Sequence, residues 1–316
     1  MPGRIGPSVG TRLLLLASVV IWGATFVAMK VLLAYVSPFE LVGLRFAIGL
    51  PVLGLVLWTR KIPLAFDRRD ALPLAFGASI LLVHFILQPI ALSFEKTTAT
   101  NTGWIISFSP LGIALLSRVV LGERLSTGQV VGIALATLGV LVLVSKGEVA
   151  SLSWLESTGD WIILGTAFTW ALYTIATRDL SRRRSPLAVT LVVFTPVCLV
   201  GLAAIALGKD PSRLAHLPPA AIGSLLFLGV LGTLAQWFWQ LGVARIGAAR
   251  AGVYVYLEPL ATTVLAVPLL GESFGISTAL GALLLLVGVW WAQRGAAGPA
   301  TAPTPAVARA NDVVAG

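Results

Sequence analysis

The chain has 316 residues, of which 57% are hydrophobic and only 11% charged, and its mean hydropathy is +0.94. Soluble domains carry about 25% charged residues, so this composition excludes a soluble fold and makes the chain a polytopic helical membrane protein. A net charge of +9 would point to nucleic acid in a soluble protein. Here the basic residues fall between apolar runs, so they set orientation and no nucleic-acid partner is expected.

Charged or Pro/Gly-rich breaks divide the chain into ten apolar spans, at 13–34, 38–58, 71–93, 98–120, 127–145, 158–178, 186–207, 219–242, 249–270 and 274–293. The opening MPGRIGPSVG and the Ala- and Pro-rich tail at 295–316 read as disordered, because neither holds enough apolar side chains to bury. The first run continues past Met29 without a small-residue cleavage site, so it is a first transmembrane helix and not a cleaved leader. The fourth and ninth spans contain Pro110 and Pro259, each of which withdraws a backbone hydrogen bond, and both are expected to kink their helices as hinges. Both termini are expected in the cytoplasm. That side then collects Arg4, Arg12, Arg60, Lys61, Arg68, Arg69, Arg118, Arg124, Arg178, the Arg182–Arg184 run, Arg245, Arg250, Arg294 and Arg309, against only Lys96, Lys146, Lys209 and Arg213 outside.

A shift of about 149 residues lays SPLGIALLSRVVLGERL (from Ser109) on EPLATTVLAVPLLGESF (from Glu258), matching Pro110 with Pro259, Gly132 with Gly281 and Gly139 with Gly288. A shift one shorter lays WGATFVAMK (from Trp22) on WALYTIATR (from Trp170) and Pro38 on Pro186. Each half holds five spans, an odd number, so the halves must run in opposite directions, a ground plan of secondary transporters. The expected organisation is an N-terminal cytoplasmic segment (1–12), a first five-helix repeat (13–145), a connecting loop (146–157), a second five-helix repeat (158–294) and the tail.

In these stretches, and in TTATNTGWIISFSPLGIALLSRVVLGERLS and ARIGAARAGVYVYLEPLATTVLAVPLLGES, the chain resembles the EamA family of the drug/metabolite transporter superfamily. The resemblance spans roughly residues 12–294. It implies an alternating-access carrier of the inner (plasma) membrane for small metabolites, often an exporter of amino acids, without fixing the substrate.

Glu258 is the acidic residue set deepest in the spans, and a carboxylate there either couples transport to protons, binds an amine, or holds a neighbouring helix. Its repeat partner is Ser109. Glu123 and Glu272 sit beside glycines at helix ends on opposite sides of the membrane and are expected to cap the fifth and tenth helices or to close a gate. Lys30 near a helix end either snorkels or takes part in binding, and the deeper Arg45 either pairs with Glu40 or Glu95 or holds a substrate carboxylate. The expected cavity wall draws on Trp22, Phe26, Trp104, Trp170, Tyr173, Trp239 and Tyr254 with the scarce polar groups His84, Gln88, Asn101, Gln236 and Gln240. His84 with Gln88, and Gln236 with Gln240, each share a helix face. The alternative use of these residues is interhelical packing and hydrogen bonding.

Several function classes are excluded or weakened. Cys198 stands alone, so no intramolecular disulfide forms, and His84 and His216 lie far apart, so no metal or other cofactor is expected. There is no GxxxxGK[ST] for ATP and no HExxH or paired catalytic carboxylates for an enzyme. A small-molecule substrate and the lipid bilayer are the expected partners, with the chain a monomer or homodimer; the small-xxx-small faces at Gly128/Gly132 and Ser277/Gly281 are expected to pack helices closely within the subunit, or else between subunits. A passive channel or a non-transporting receptor is the rival reading.

Overall fold

The computed structural model describes residues 9–145, 155, 157–208, 211–271 and 275–295. Glu272, much of the connecting loop and the tail beyond 295 lie outside them.

Every described element is helical. The helices are α1 (Val9–Leu33), α2 (Pro38–Thr59), α3 (Ala71–Ser93), α4 (Ala99–Ile106), α5 (Ser109–Val120), α6 (Thr127–Val144), α7 (Thr158–Arg183), α8 (Pro186–Ala206), α9 (Pro219–Leu226), α10 (Gly232–Ile246), α11 (Ala248–Val255), α12 (Glu258–Leu270) and α13 (Ile276–Gly295). Their ends follow local chemistry. Ser37 caps α2 with Glu40 in a reciprocal box, Ser126 and Gln129 do the same for α6, and Ser157 and Asp160 for α7. Ser37-Pro38 and Ser185-Pro186 open α2 and α8 with the same cap-then-proline pair, as repeat-related positions should.

Among the described residues, nine helical segments are long and apolar enough to cross a membrane. The one expected span not among them, the sixth, is α7, which has the length, with 26 residues or about 39 Å. It is more polar because Thr166, Thr169, Tyr173, Thr174 and Thr177 lie along it. These side chains point into protein rather than lipid: all but Thr169 are buried, and Thr169 bonds His84.

The spans expected at 98–120 and 249–270 are each two helices, α4 with α5 and α11 with α12, broken after Ile106 and Val255. Pro110 and Pro259 stand in the first turn of the second piece, where a missing N–H costs nothing. The expected kinks are thus two-residue turns at 107–108 and 256–257 that interrupt each span, with the prolines in the first turn of the piece that follows. The eighth span is also irregular: α9 passes into a π-helical stretch at Phe227–Leu231 before α10.

Packing exchanges the first helix between halves. α1 lies against α10 and α12, while α7 lies against α3 and α5. α2 faces α8, and α6 faces α13. The contacts themselves map onto each other under the repeat. A Cβ on Gly132 would stand 2.3 Å from the Ala292 backbone nitrogen, and one on Gly281 would stand 2.7 Å from that of Leu143. The equivalent contacts of Gly139 with Leu285 and of Gly288 with Ala136 close at 2.5 and 2.3 Å. Two backbones approach this closely only where side chains are missing. The glycine faces thus serve packing within the chain.

Candidate functional site

The two broken spans cross in the middle of the bundle, with α4 against α12 and α11 against α5. α1 passes over the start of α12 at Gly23, where a Cβ would be 2.8 Å from the Glu258 carbonyl and 2.7 Å from Ala261 Cβ. The repeat-related crossing of α7 over α5 joins Ala171 to Gly112, at 3.0 Å for an added Cβ. Small residues therefore bring the first helix of each half directly onto a half-helix start, where the positive end of the helix dipole lies.

A cavity opens at this crossing, lined by Trp22, Thr25, Phe26, Arg45, His84, Phe85, Gln88, Ile106, Trp170, Gln236 and Glu258. It measures about 30 Å³, space for a few water molecules and not for a metabolite. Aromatic rings form one wall. Trp22 meets Trp170 edge-on at 4.9 Å between centroids, and His84 stacks obliquely on Trp170 at 5.3 Å. His84 Nδ1 contacts the Thr166 carbonyl oxygen at 3.2 Å and Thr169 Oγ1 at 2.9 Å, which fixes the ring against α7.

Both charges expected at depth line this cavity. Glu258 is 4% exposed, and Arg45, at 2%, has its guanidinium 5.2 and 5.1 Å from the Phe46 and Phe85 ring centroids. Neither partner expected for Arg45 reaches it. Glu40 closes the α2 cap through the Ser37 N–H at 2.7 Å, and Glu95 is exposed.

Other candidates lie outside the cavity. Gln240 donates to Tyr173 Oη and to Thr177 Oγ1 (3.0 Å) and accepts from Ser181 (3.2 Å), a closed network between α7 and α10. Trp239 lies behind Trp22 at 5.3 Å. Trp104 Nε1 donates to Thr263 Oγ1 at 2.9 Å, joining α4 to α12. Tyr254 is buried in α11 among the apolar residues of the α1–α7–α10 core, and the Asn101 backbone N–H is taken by the Thr98 hydroxyl that caps α4. Lys30 neither reaches the cavity nor snorkels freely: it donates to the carbonyls of Leu92, Phe94 and Thr97 at 2.8–3.2 Å, closing the end of α3. Sequence reasoning missed Thr25, Phe85 and Ile106. Thr25 lies one turn from Trp22 on the same face, and that spacing could have found it.

The arginine-rich end of the bundle is tied across the repeats. Arg178 Nη2 donates to Glu123 Oε1 at 2.8 Å, and Glu123 Oε2 accepts from the Ala249 N–H at 3.4 Å in the first turn of α11. Glu123 was expected to cap the fifth helix. That cap is Ser126 with Gln129, and Glu123 instead reaches the second repeat. Beside it, buried Asp70 accepts from Arg184 Nε at 2.7 Å and Arg183 Nη1 at 3.4 Å, and Arg184 also bonds Asp67.

Ten spans in two inverted five-helix repeats, crossing at interrupted helices around a polar and aromatic cavity, have the architecture of a membrane transporter. The comparisons place it further. The chain matches the EamA-like transporter family twice, over residues 11–145 and 157–293, and it belongs to that family. An Archaeoglobus fulgidus protein named as an uncharacterized transporter is 30% identical over 89% of this chain and 96% of its own length. A Salmonella typhimurium protein named "probable amino-acid metabolite efflux pump" is 30% identical over 88% of this chain and 92% of its own. A solved crystal structure shares the fold with a TM-score of 0.71 at 21% identity, covering 90% of this chain and 97% of its own.

Proposed function

We propose that this transporter exports small amphipathic metabolites, amino acids or close relatives of them, across the inner (plasma) membrane by alternating access, with both termini in the cytoplasm. The observation that carries the reading is the central cavity: two inverted repeats meet there at broken helices, and it is too small for a metabolite. A solute-sized site therefore has to form by movement of one half against the other, first toward one side and then toward the other. The Glu123–Arg178 and Asp70–Arg184 ties hold the cytoplasmic side shut in this conformation. The substrate class rests on the cavity's mix of charge, amide and aromatic groups and on the efflux activity in the names of relatives.

The test is counterflow in proteoliposomes. Saturable flux of a labelled amino acid, accelerated by unlabelled amino acid on the opposite side, is expected. Flux that neither saturates nor responds to solute on the trans side describes a channel and overturns the reading.

A further inference from the structure

Arg45 is the centre of an arrangement that the transport reading does not by itself explain. Its guanidinium stays charged in any protein setting, yet among the described residues no carboxylate lies within hydrogen-bonding or ion-pairing distance of it. Its Nε has no hydrogen-bond partner. The two flanking phenylalanine rings, at 5.2 and 5.1 Å, supply part of the missing compensation, about 2 kcal/mol or more for a desolvated cation–π contact, but neither offers the hydrogen-bond acceptors of an anion. A buried, charged donor without an anion is costly, and such groups in membrane spans mark binding sites.

The surroundings are shaped for that guanidinium. Gly232, the residue that follows the π-helical stretch, lies against it, and a Cβ at Gly232 would stand 3.1 Å from Arg45 Nη2. π-helical turns change the register of a helix, and this one delivers the side-chain-free residue opposite Arg45. Two more cavity groups are buried and unpartnered: Trp22 Nε1, a donor, and Gln236 Oε1, an acceptor. Glu258 completes the set on the same cavity. Donors and acceptors are thus both present, unpaired, around one volume.

We propose that Arg45, with Trp22 Nε1, is the subsite that takes the carboxylate of the transported solute, and that Gly232 keeps it open. The inference rests on the transport reading and adds its head-group chemistry. The solute carries a carboxylate for Arg45 and an amine for Gln236 and Glu258, and its side chain lies on Trp170 and Phe26. Arg45 then acts as a specificity residue, since a guanidinium grips a carboxylate through two parallel N–H bonds that an amide cannot accept.

The test uses the purified full chain and paired probes: L-leucine and L-phenylalanine against L-leucinamide and L-phenylalaninamide, with binding read by thermal stabilisation and counterflow run in parallel. The wild type should bind at least one acid about tenfold or more tightly than its amide. Arg45→Gln should abolish that ratio and leave amide binding within about threefold, and Arg45→Lys should restore part of it. Gly232→Ala keeps the charge and should lower acid affinity alone, which carries the test if Arg45→Gln does not fold. The proposal is overturned if Arg45→Gln or Gly232→Ala keeps the wild-type ratio. It is also overturned if Arg45→Gln/Glu258→Gln regains wild-type acid binding, because Arg45 would then only neutralise Glu258. Saturable counterflow of a solute lacking a carboxylate, with no binding of either acid, overturns the subsite and leaves the carrier reading standing. Absence of all counterflow removes the carrier reading itself.

Discussion

Trp22 of α1 and Trp170 of α7 occupy the same position in the two repeats and meet edge-on, with centroids 4.9 Å apart and planes at 84°. Residues related by a two-fold axis touch each other only when they lie near it, so this pair marks where the pseudo-axis passes through the bundle. The cavity lies on that axis, and both rings line it.

Truncating either ring should therefore have similar consequences. Trp22→Ala and Trp170→Ala are each expected to cost about 3–5 kcal/mol of stability through the void they leave. The double substitution should cost about 0.5–1.5 kcal/mol less than their sum, because the ring–ring contact is lost only once. Thermal unfolding of the four proteins in one detergent measures this. Simple additivity would show that the rings do not interact in solution.

The span limits were legible because their signals are local. Ser-Pro pairs, Ser-x-x-Glu/Gln/Asp caps and charged breaks stand at the helix ends themselves, and the observed ends of α2, α3, α6 and α8 fall within a residue of those expected. The breaks at 107–108 and 256–257 were not legible, since apolar composition runs through them unchanged and a proline reads equally as kink or start. The site was half legible. Helical spacing puts Gln236 and Gln240 on one face, yet one turn of depth separates the cavity from the Tyr173 network. Periodicity tells a buried face from a lipid face, but it carries no information on whether a buried polar group meets water or another side chain.

The seam between α6 and α13 gives a sharper test of the repeat. A Cβ on Gly139 or Gly288 would collide with backbone of the other helix at 2.5 or 2.3 Å, whereas Gly54 has open space around it. Gly139→Ala and Gly288→Ala should each destabilise by about 1–3 kcal/mol, the usual penalty of overpacking, and Gly54→Ala should be neutral or slightly favourable. Equal losses at the two repeat-related glycines, read as matched falls in melting temperature, are the expected result. A loss at one and none at the other would contradict symmetric packing.

Glu123 joins the halves twice, through Arg178 and through the start of α11. Side chains 15% and 20% exposed make this a partly solvated pair, worth about 1 kcal/mol or less. Glu123→Gln and Arg178→Gln should each raise the population open to the cytoplasm by up to about fivefold, and the double variant should add little to either. The readout is the rate at which a thiol reagent, applied from the cytoplasmic side, labels Thr25→Cys in a Cys198→Ser background. Unchanged rates in both variants would remove the pair from the gate.

Glu258 breaks the symmetry of the repeats, because Ser109 stands at the matching start of α5. Helix α12 begins at Glu258 itself, which puts the residue at the positive end of the helix dipole. Substrate amine or a proton can each neutralise it when the cavity closes, and the two cases separate experimentally. Glu258→Gln keeps the shape and hydrogen bonding of the side chain but cannot ionise. If the carboxyl carries the coupling proton, the variant should keep downhill exchange within about threefold of wild type and lose accumulation driven by a proton gradient. If it only binds the amine, exchange should fall by about tenfold or more, the scale of one lost charged hydrogen bond of about 1.5–3 kcal/mol. Wild-type behaviour in both assays would leave Glu258 a helix-start residue with no part in transport.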